Sequence, residues 1–304
     1  MDTDFRKYFR AGIVHFMAFP DAADKKSLIE TIKKIACDDY FEIIEITFME
    51  DAGTRNQVRN LLESACIEAY FGAQPVLLGE NLNLNDEDQS VREKSIEMIK
   101  KCIDQAYEIG AKGLSFLSGR CRQGKKQYAF DLLVDSTTSI CEYARKKGLV
   151  IELEIFDYDV DKKCLIGPAF LAADFATAIR KNFDNFGLLV DLSHLPLVKE
   201  SAAETIGRLK EFITHIHIGN CFISDKNSSL YGDKHVPFGT PGSENNVEQL
   251  AEFLQALLNA GIFDRESRLA VSFEVKPLKG QDPEAVIAGS KRVLNQAWLM
   301  VRQS

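Results

Sequence analysis

Eight short apolar runs, each followed by a longer amphipathic stretch, constrain this chain more than any other feature. They are GIVHFM (12–17), FEIIEIT (41–47), QPVLL (74–78), GLSFLS (113–118), LVIELEIF (149–156), FGLLVDL (186–192), ITHIHIG (213–219) and LAVSFEV (269–275). Their length and β-branched content read as strands. Between them lie helical patterns. In 90–111, Ile96, Ile99, Ile103 and Ala106 recur at helical spacing, and 247–261 behaves alike, with Gly110 and Gly261 where helices should stop. Strands alternating with helices mean a parallel sheet, because parallel neighbours need a crossover. Eight such units predict an α/β fold, a single (β/α)8 TIM barrel over residues 1–304. The long irregular stretch at about 220–246, rich in Gly, Ser, Asn and Pro, follows the seventh run. In a barrel that places it at the C-terminal ends of the strands, where active sites are built.

Acids inside these runs set the second constraint. Side chains of a strand alternate faces, so Glu152 and Glu154 point the same way, as do His215 and His217. The sixth run ends in Asp191, with His194 just beyond, and the eighth carries Glu274. An acid in an apolar strand is costly unless it is paired or holds a metal. Glu154, Asp191, His217 and Glu274, at the ends of neighbouring strands, therefore read as ligands of one divalent cation. That donor set suits Mn²⁺ first, with Mg²⁺, Co²⁺ or Zn²⁺ as alternatives. Glu154 lies beyond Glu152, and His217 beyond His215, so the outer member of each pair is the ligand and the inner one supports or packs. His15 and Glu45 read as core residues or supports, and Gly219 as a point where the backbone turns away.

LEIFDY with Glu154, VDLSH with Asp191 and His194, HIHIGN with His217, and SFEV with Glu274 follow in order. With them the chain resembles the xylose-isomerase-like TIM-barrel superfamily over nearly its whole length. That superfamily holds sugar isomerases, ketose 3-epimerases and endonuclease-IV-like enzymes. The resemblance implies that Glu154, Asp191, His217 and Glu274 hold the metal and that His194 contacts substrate. It also implies that Glu154 and Glu274 move protons on opposite faces of a sugar, next to its carbonyl. The chemistry suits them: a metal polarises the carbonyl and a positioned carboxylate exchanges the proton.

Departures and a further motif refine the expectation. The epimerases carry an acid where this chain has Val160, with Asp157 and Asp159 nearby, and often a basic residue where it has Ile223. The endonuclease branch adds an Asp-x-His, matched here by Asp233 and His235, but also needs histidines after strands three and four, which this sequence lacks. The loop SLYGDKHVPFGTPGSENNVEQL (229–250) resembles a subgroup that includes the catalytic subunits of C-glycoside deglycosidases. That implies an alternative activity, metal-assisted cleavage of 3-keto C-glycosides beside a small partner subunit. Asp233, His235 and Lys276 are expected to face substrate.

Composition closes off other classes. The net charge of −8 and the pI near 5.3 argue against a nucleic-acid partner, and GRCRQGKK (119–126) reads as solvated surface. Seven scattered cysteines without a C-x-x-C, Cys121 and Cys221 among them, read as reduced thiols. MDTDFRKYFRAG lacks a signal-peptide layout, and no run approaches the about 20 apolar residues of a membrane span. The expectation is a cytoplasmic, metal-dependent sugar isomerase or epimerase, alone, as a homo-oligomer or with a small subunit.

Overall fold

Eight parallel strands pair in chain order and the first closes on the last, giving a complete barrel. They are β1 (Phe9–Val14), β2 (Ile43–Thr47), β3 (Glu68–Gly72), β4 (Gly113–Leu117), β5 (Val150–Glu154), β6 (Phe186–Asp191), β7 (Ile213–Gly219) and β8 (Leu269–Glu274). The structure is a computed structural model that describes residues 4–263 and 265–302. Helices return the chain between strands, as right-handed crossovers require. The two helices read from periodicity run over Gln89–Ile109 and Val247–Asn259. Gly110 caps the first with φ +83°, the left-handed conformation that costs glycine nothing.

Two strands differ from the expectation. Residues 74–78 are not the third strand: Gln74–Gly79 is a short helix with Pro75 in its first turn. Proline has no N–H for a ladder and its fixed φ suits a helix start. The strand is the preceding Glu68–Gly72. The first strand begins and ends earlier than 12–17, because His15–Ala18 turns into a helix at the rim.

Alternation sorts the side chains. Ile44, Ile46, Ile151, Leu153, Ile216, Ile218, Val271 and Phe273 are fully or almost fully buried, against helix residues such as Ile32, Ile99, Leu133 and Phe175. The opposite face of β2, β5, β6, β7 and β8 sends Glu45, Glu152, Glu154, Asp191, His215, His217, Ser272 and Glu274 into the bore. A TIM-barrel bore is ordinarily filled by branched apolar residues; here much of it is ionisable. No helix among the described residues is long and apolar enough to cross a membrane. All seven cysteines are free thiols.

Candidate functional site

The charged side chains of the bore form two tiers. The inner tier is Glu152, His215 and Glu45. His215 Nδ1 lies 3.2 Å from Glu152 Oε2, and its Nε2 lies 3.3 Å from Ser272 Oγ and 3.0 Å from Glu45 Oε1. His217 then joins the tiers: its Nε2 is 3.0 Å from both Glu45 oxygens, and its Nδ1 is 2.6 Å from Glu274 Oε2.

The outer tier sits at the C-terminal mouth. One ligand atom from each of Glu154, Asp191, His217 and Glu274 falls in a group within 4.8 Å, all four residues buried. Asp191 is held from behind: Ser193 donates its N–H to Oδ1 and its hydroxyl to Oδ2, each at 2.7 Å. Glu154 accepts a 2.6 Å hydrogen bond from Gln74 Nε2. Beside this group, His194 Nδ1 donates to the Ile155 carbonyl at 2.7 Å, aiming Nε2 at Asp233 Oδ1, 3.3 Å away. His235 Nε2 lies 3.0 Å from the same oxygen and 3.5 Å from Glu274 Oε1. Asp191, His194 and His235 form a second close group. His235 takes φ +48°, a strained conformation for a side chain of its size, held in place by Lys276 N–H donating to its carbonyl at 2.7 Å.

What distinguishes the outer tier is missing satisfaction. Among the described residues, Glu154 Oε1 and His235 Nδ1 are buried without a hydrogen-bond partner, and the Asp233 oxygens, though they face His194, His235 and Lys162 as ion pairs, have no well-aligned hydrogen bond. Native proteins rarely leave such atoms orphaned without a functional reason. Electrostatics agrees. Burial, then the charge of Glu274, pushes Glu154 up to about 8. Burial also raises Glu274, but His235 and His217 outweigh it and bring it down to about 2. Burial, with the charge of Glu274 adding to it against His194, raises Asp191 as well. His235 loses by burial yet rises to about 9 beside Asp233. A divalent cation fits this set: it supplies the positive charge that crowded buried carboxylates need, and the mixed oxygen and imidazole donors suit one.

The expected residues fall into place unevenly. Glu154, Asp191, His194, His217, Asp233, His235 and Glu274 converge, whereas the Lys276 side chain is exposed and offers the site its backbone N–H. Asp157 is no stand-in for the acid absent at Val160. Its carboxylate accepts backbone N–H groups from Val160, Asp161, Lys162 and Lys163, and so is spent on its own loop. Ile223 donates its N–H to Glu244 Oε1 and brings no charge. Gly219 is needed for space, not for a turn: a Cβ there would stand 2.7 Å from the Glu274 carbonyl and 3.4 Å from Asp191 Oδ1. His15 belongs to none of the close groups of candidate ligands, and its Nε2 lies 2.9 Å from Thr31 Oγ1. The end of β3 carries Gly72, Ala73 and Gln74, and β4 ends at Leu117 followed by Ser118, so no histidine stands at either. Two contacts escaped the sequence reading. Gln74 did so because its segment was assigned to a strand. Lys162, 3.3 Å from Asp233 Oδ2, did so because nothing in its spacing points across to that loop.

A family model described as xylose isomerase-like TIM barrel matches residues 32–296. Among solved structures, a D-tagatose 3-epimerase-like protein is similar at 19% identity and TM-score 0.72, over 96% of this chain and 98% of that one. A 3-keto-D-glucoside 4-epimerase from E. coli is similar at 14% identity and TM-score 0.68, over 94% and 98%. The IOLI protein with a bound zinc atom is similar at 17% identity and TM-score 0.73, over 97% and 100%. No curated protein matches the chain.

Proposed function

The chain belongs to the xylose isomerase-like TIM-barrel family, and from that premise we propose that it is a divalent-metal-dependent sugar isomerase or epimerase. The observation that carries this reading is the buried Glu154, Asp191, His217 and Glu274 group, with the orphaned polar atoms around it. Similarity to sugar epimerases of known structure supports the substrate class. We assign these four residues as ligands of one divalent metal, Mn²⁺ by preference, given three carboxylates and one imidazole. The metal supplies polarisation of a sugar carbonyl, which makes a neighbouring C–H acidic.

The rest of the chemistry falls to the chain's own groups. Glu154 and Glu274 project from β5 and β8 toward a common space, so one removes the proton and the other returns it on the opposite face. Gln74 fixes the Glu154 carboxylate through Oε2 and leaves Oε1 free to meet substrate. His194, Asp233 and His235 line the mouth with polar groups, His235 Nδ1 among them without a hydrogen bond, that match the hydroxyls of a small polyol.

A second reading is cleavage of a keto glycoside with an apolar aglycone. It is favoured by a pocket of about 480 Å³ beside the ends of β1 and β2, lined in part by Phe16, Phe19, Phe48 and Met49. The test is proton exchange. Mn²⁺-loaded protein in D₂O with a panel of free ketoses and 3-keto glycosides should incorporate deuterium next to the carbonyl of a free ketose, read by NMR. Exchange accompanied by aglycone release would favour the second reading, and no exchange with any substrate would defeat both.

A further inference from the structure

Glu45 lies deeper in the bore than the four ligands, yet it governs one of them. Both of its oxygens stand 3.0 Å from His217 Nε2, so that nitrogen is fully engaged away from the mouth. The other nitrogen, Nδ1, is thereby turned toward Glu274 Oε2 at 2.6 Å and Glu154 Oε1 at 3.9 Å. An imidazole free to flip would offer either nitrogen. Here the flip would break two contacts to a buried carboxylate, which is costly. Glu45 is itself fixed. His215 Nε2 lies 3.0 Å from its Oε1, and Glu152 grips the far side of that imidazole at 3.2 Å. Tyr70 presents its ring edge-on to His215, with centroids 4.7 Å apart. Ser272 Oγ completes the holding of His215, and only glycine at position 12 makes room for it: a Cβ there would lie 2.4 Å from that hydroxyl. Glu45, His215 and His217 are close enough to share an ion of their own, but no buried polar atom of the three lacks a partner, so nothing in this tier asks for one.

We propose that Glu45 is a positioning residue: it turns His217 so that Nδ1 alone faces the metal, and the His215–Glu152 pair locks Glu45 in turn. The proposal rests on the metal-centre reading above. A carboxylate behind a ligating histidine typically changes metal affinity by about 10–100-fold when removed. A glutamine at 45 keeps a single acceptor oxygen for two imidazoles, so it should restore part of what alanine loses.

The test uses Co²⁺ with the wild-type chain, Glu45→Ala, Glu45→Gln and His215→Asn, reading affinity by calorimetry and ligand geometry by the visible spectrum. The expected result is an affinity loss of about 100-fold for Glu45→Ala and about 10-fold for Glu45→Gln, each with an altered spectrum. His215→Asn should give a smaller loss, and it carries the test if Glu45→Ala does not fold. Wild-type affinity and spectrum in the folded variants would overturn the positioning role while leaving the metal centre standing. Failure of the wild-type chain itself to bind Co²⁺ would overturn the metal-centre reading and this role with it.

Discussion

The inner and outer tiers of the bore are built from the same residue types, glutamates and histidines buried in one barrel, and differ in satisfaction. In the inner tier every acid faces an imidazole: Glu152 meets His215, and Glu45 meets His215 and His217. In the outer tier imidazoles also face acids, but Glu154, Asp191 and Glu274 crowd together and Glu154 keeps one oxygen without a hydrogen bond. Buried charge alone therefore does not mark a site. A cluster in which each acid has its own imidazole supports, and one in which carboxylates crowd with an oxygen to spare waits for a ligand.

The sharpest break between the tiers should come at His217, which belongs to both. His217→Ala is expected to lower deuterium exchange by at least about 10³-fold, since a ligand and its orientation go together. Exchange at near wild-type rate would remove His217 from the centre.

His15 supplies the opposite case among the chain's five histidines, because no carboxylate stands beside it. Burial holds it down at about 4, against an ordinary 6.5. The folded state needs it neutral, so its contribution is complete above pH 6.5 and is lost as pH falls through about 4. Over that window the loss should reach about 3 kcal/mol, and His15→Asn should remove that slope. Urea unfolding of both proteins between neutral and acidic pH checks this.

Single neutralisations should then move the tiers in opposite directions in metal-free protein. Glu152→Gln breaks a satisfied pair and should cost about 1–3 kcal/mol at neutral pH. Glu154→Gln removes a crowded acid and should stabilise by about 0.5–2 kcal/mol, while in the Mn²⁺-loaded protein it should abolish exchange. Because burial and Glu274 raise Glu154 from 4.5 to about 8, its contribution is present below pH 4.5 and lost as pH rises toward 8. Glu154→Gln should flatten that fall. Destabilisation by both substitutions alike would erase the distinction between tiers.

Much of this was legible in the sequence, for a physical reason. A strand buried on both faces has no place for an acid, so Glu154, Asp191 and Glu274 announce themselves against their apolar neighbours. Period-two alternation also separates His217 from His215 by depth. What stayed hidden depends on register and on loops. Glu45 was visible as an inward acid, but its pairing with His217 crosses the bore from β2 to β7, which no local pattern encodes. QPVLL has strand composition, and only Pro75 betrays the helix that delivers Gln74 to Glu154. Lys162 reaches Asp233 because Asp157 folds the loop after β5 back on itself, a backbone matter with no sequence period.

The most direct measurement is the metal bound at equilibrium. The protein is dialysed against Mn²⁺ after chelator treatment, and its metal is counted by elemental analysis in the wild-type chain and in His217→Ala. One ion per chain in the wild type and none in the variant is the predicted result. No bound metal in either protein would contradict the account, leaving the outer tier a set of buried acids without a ligand.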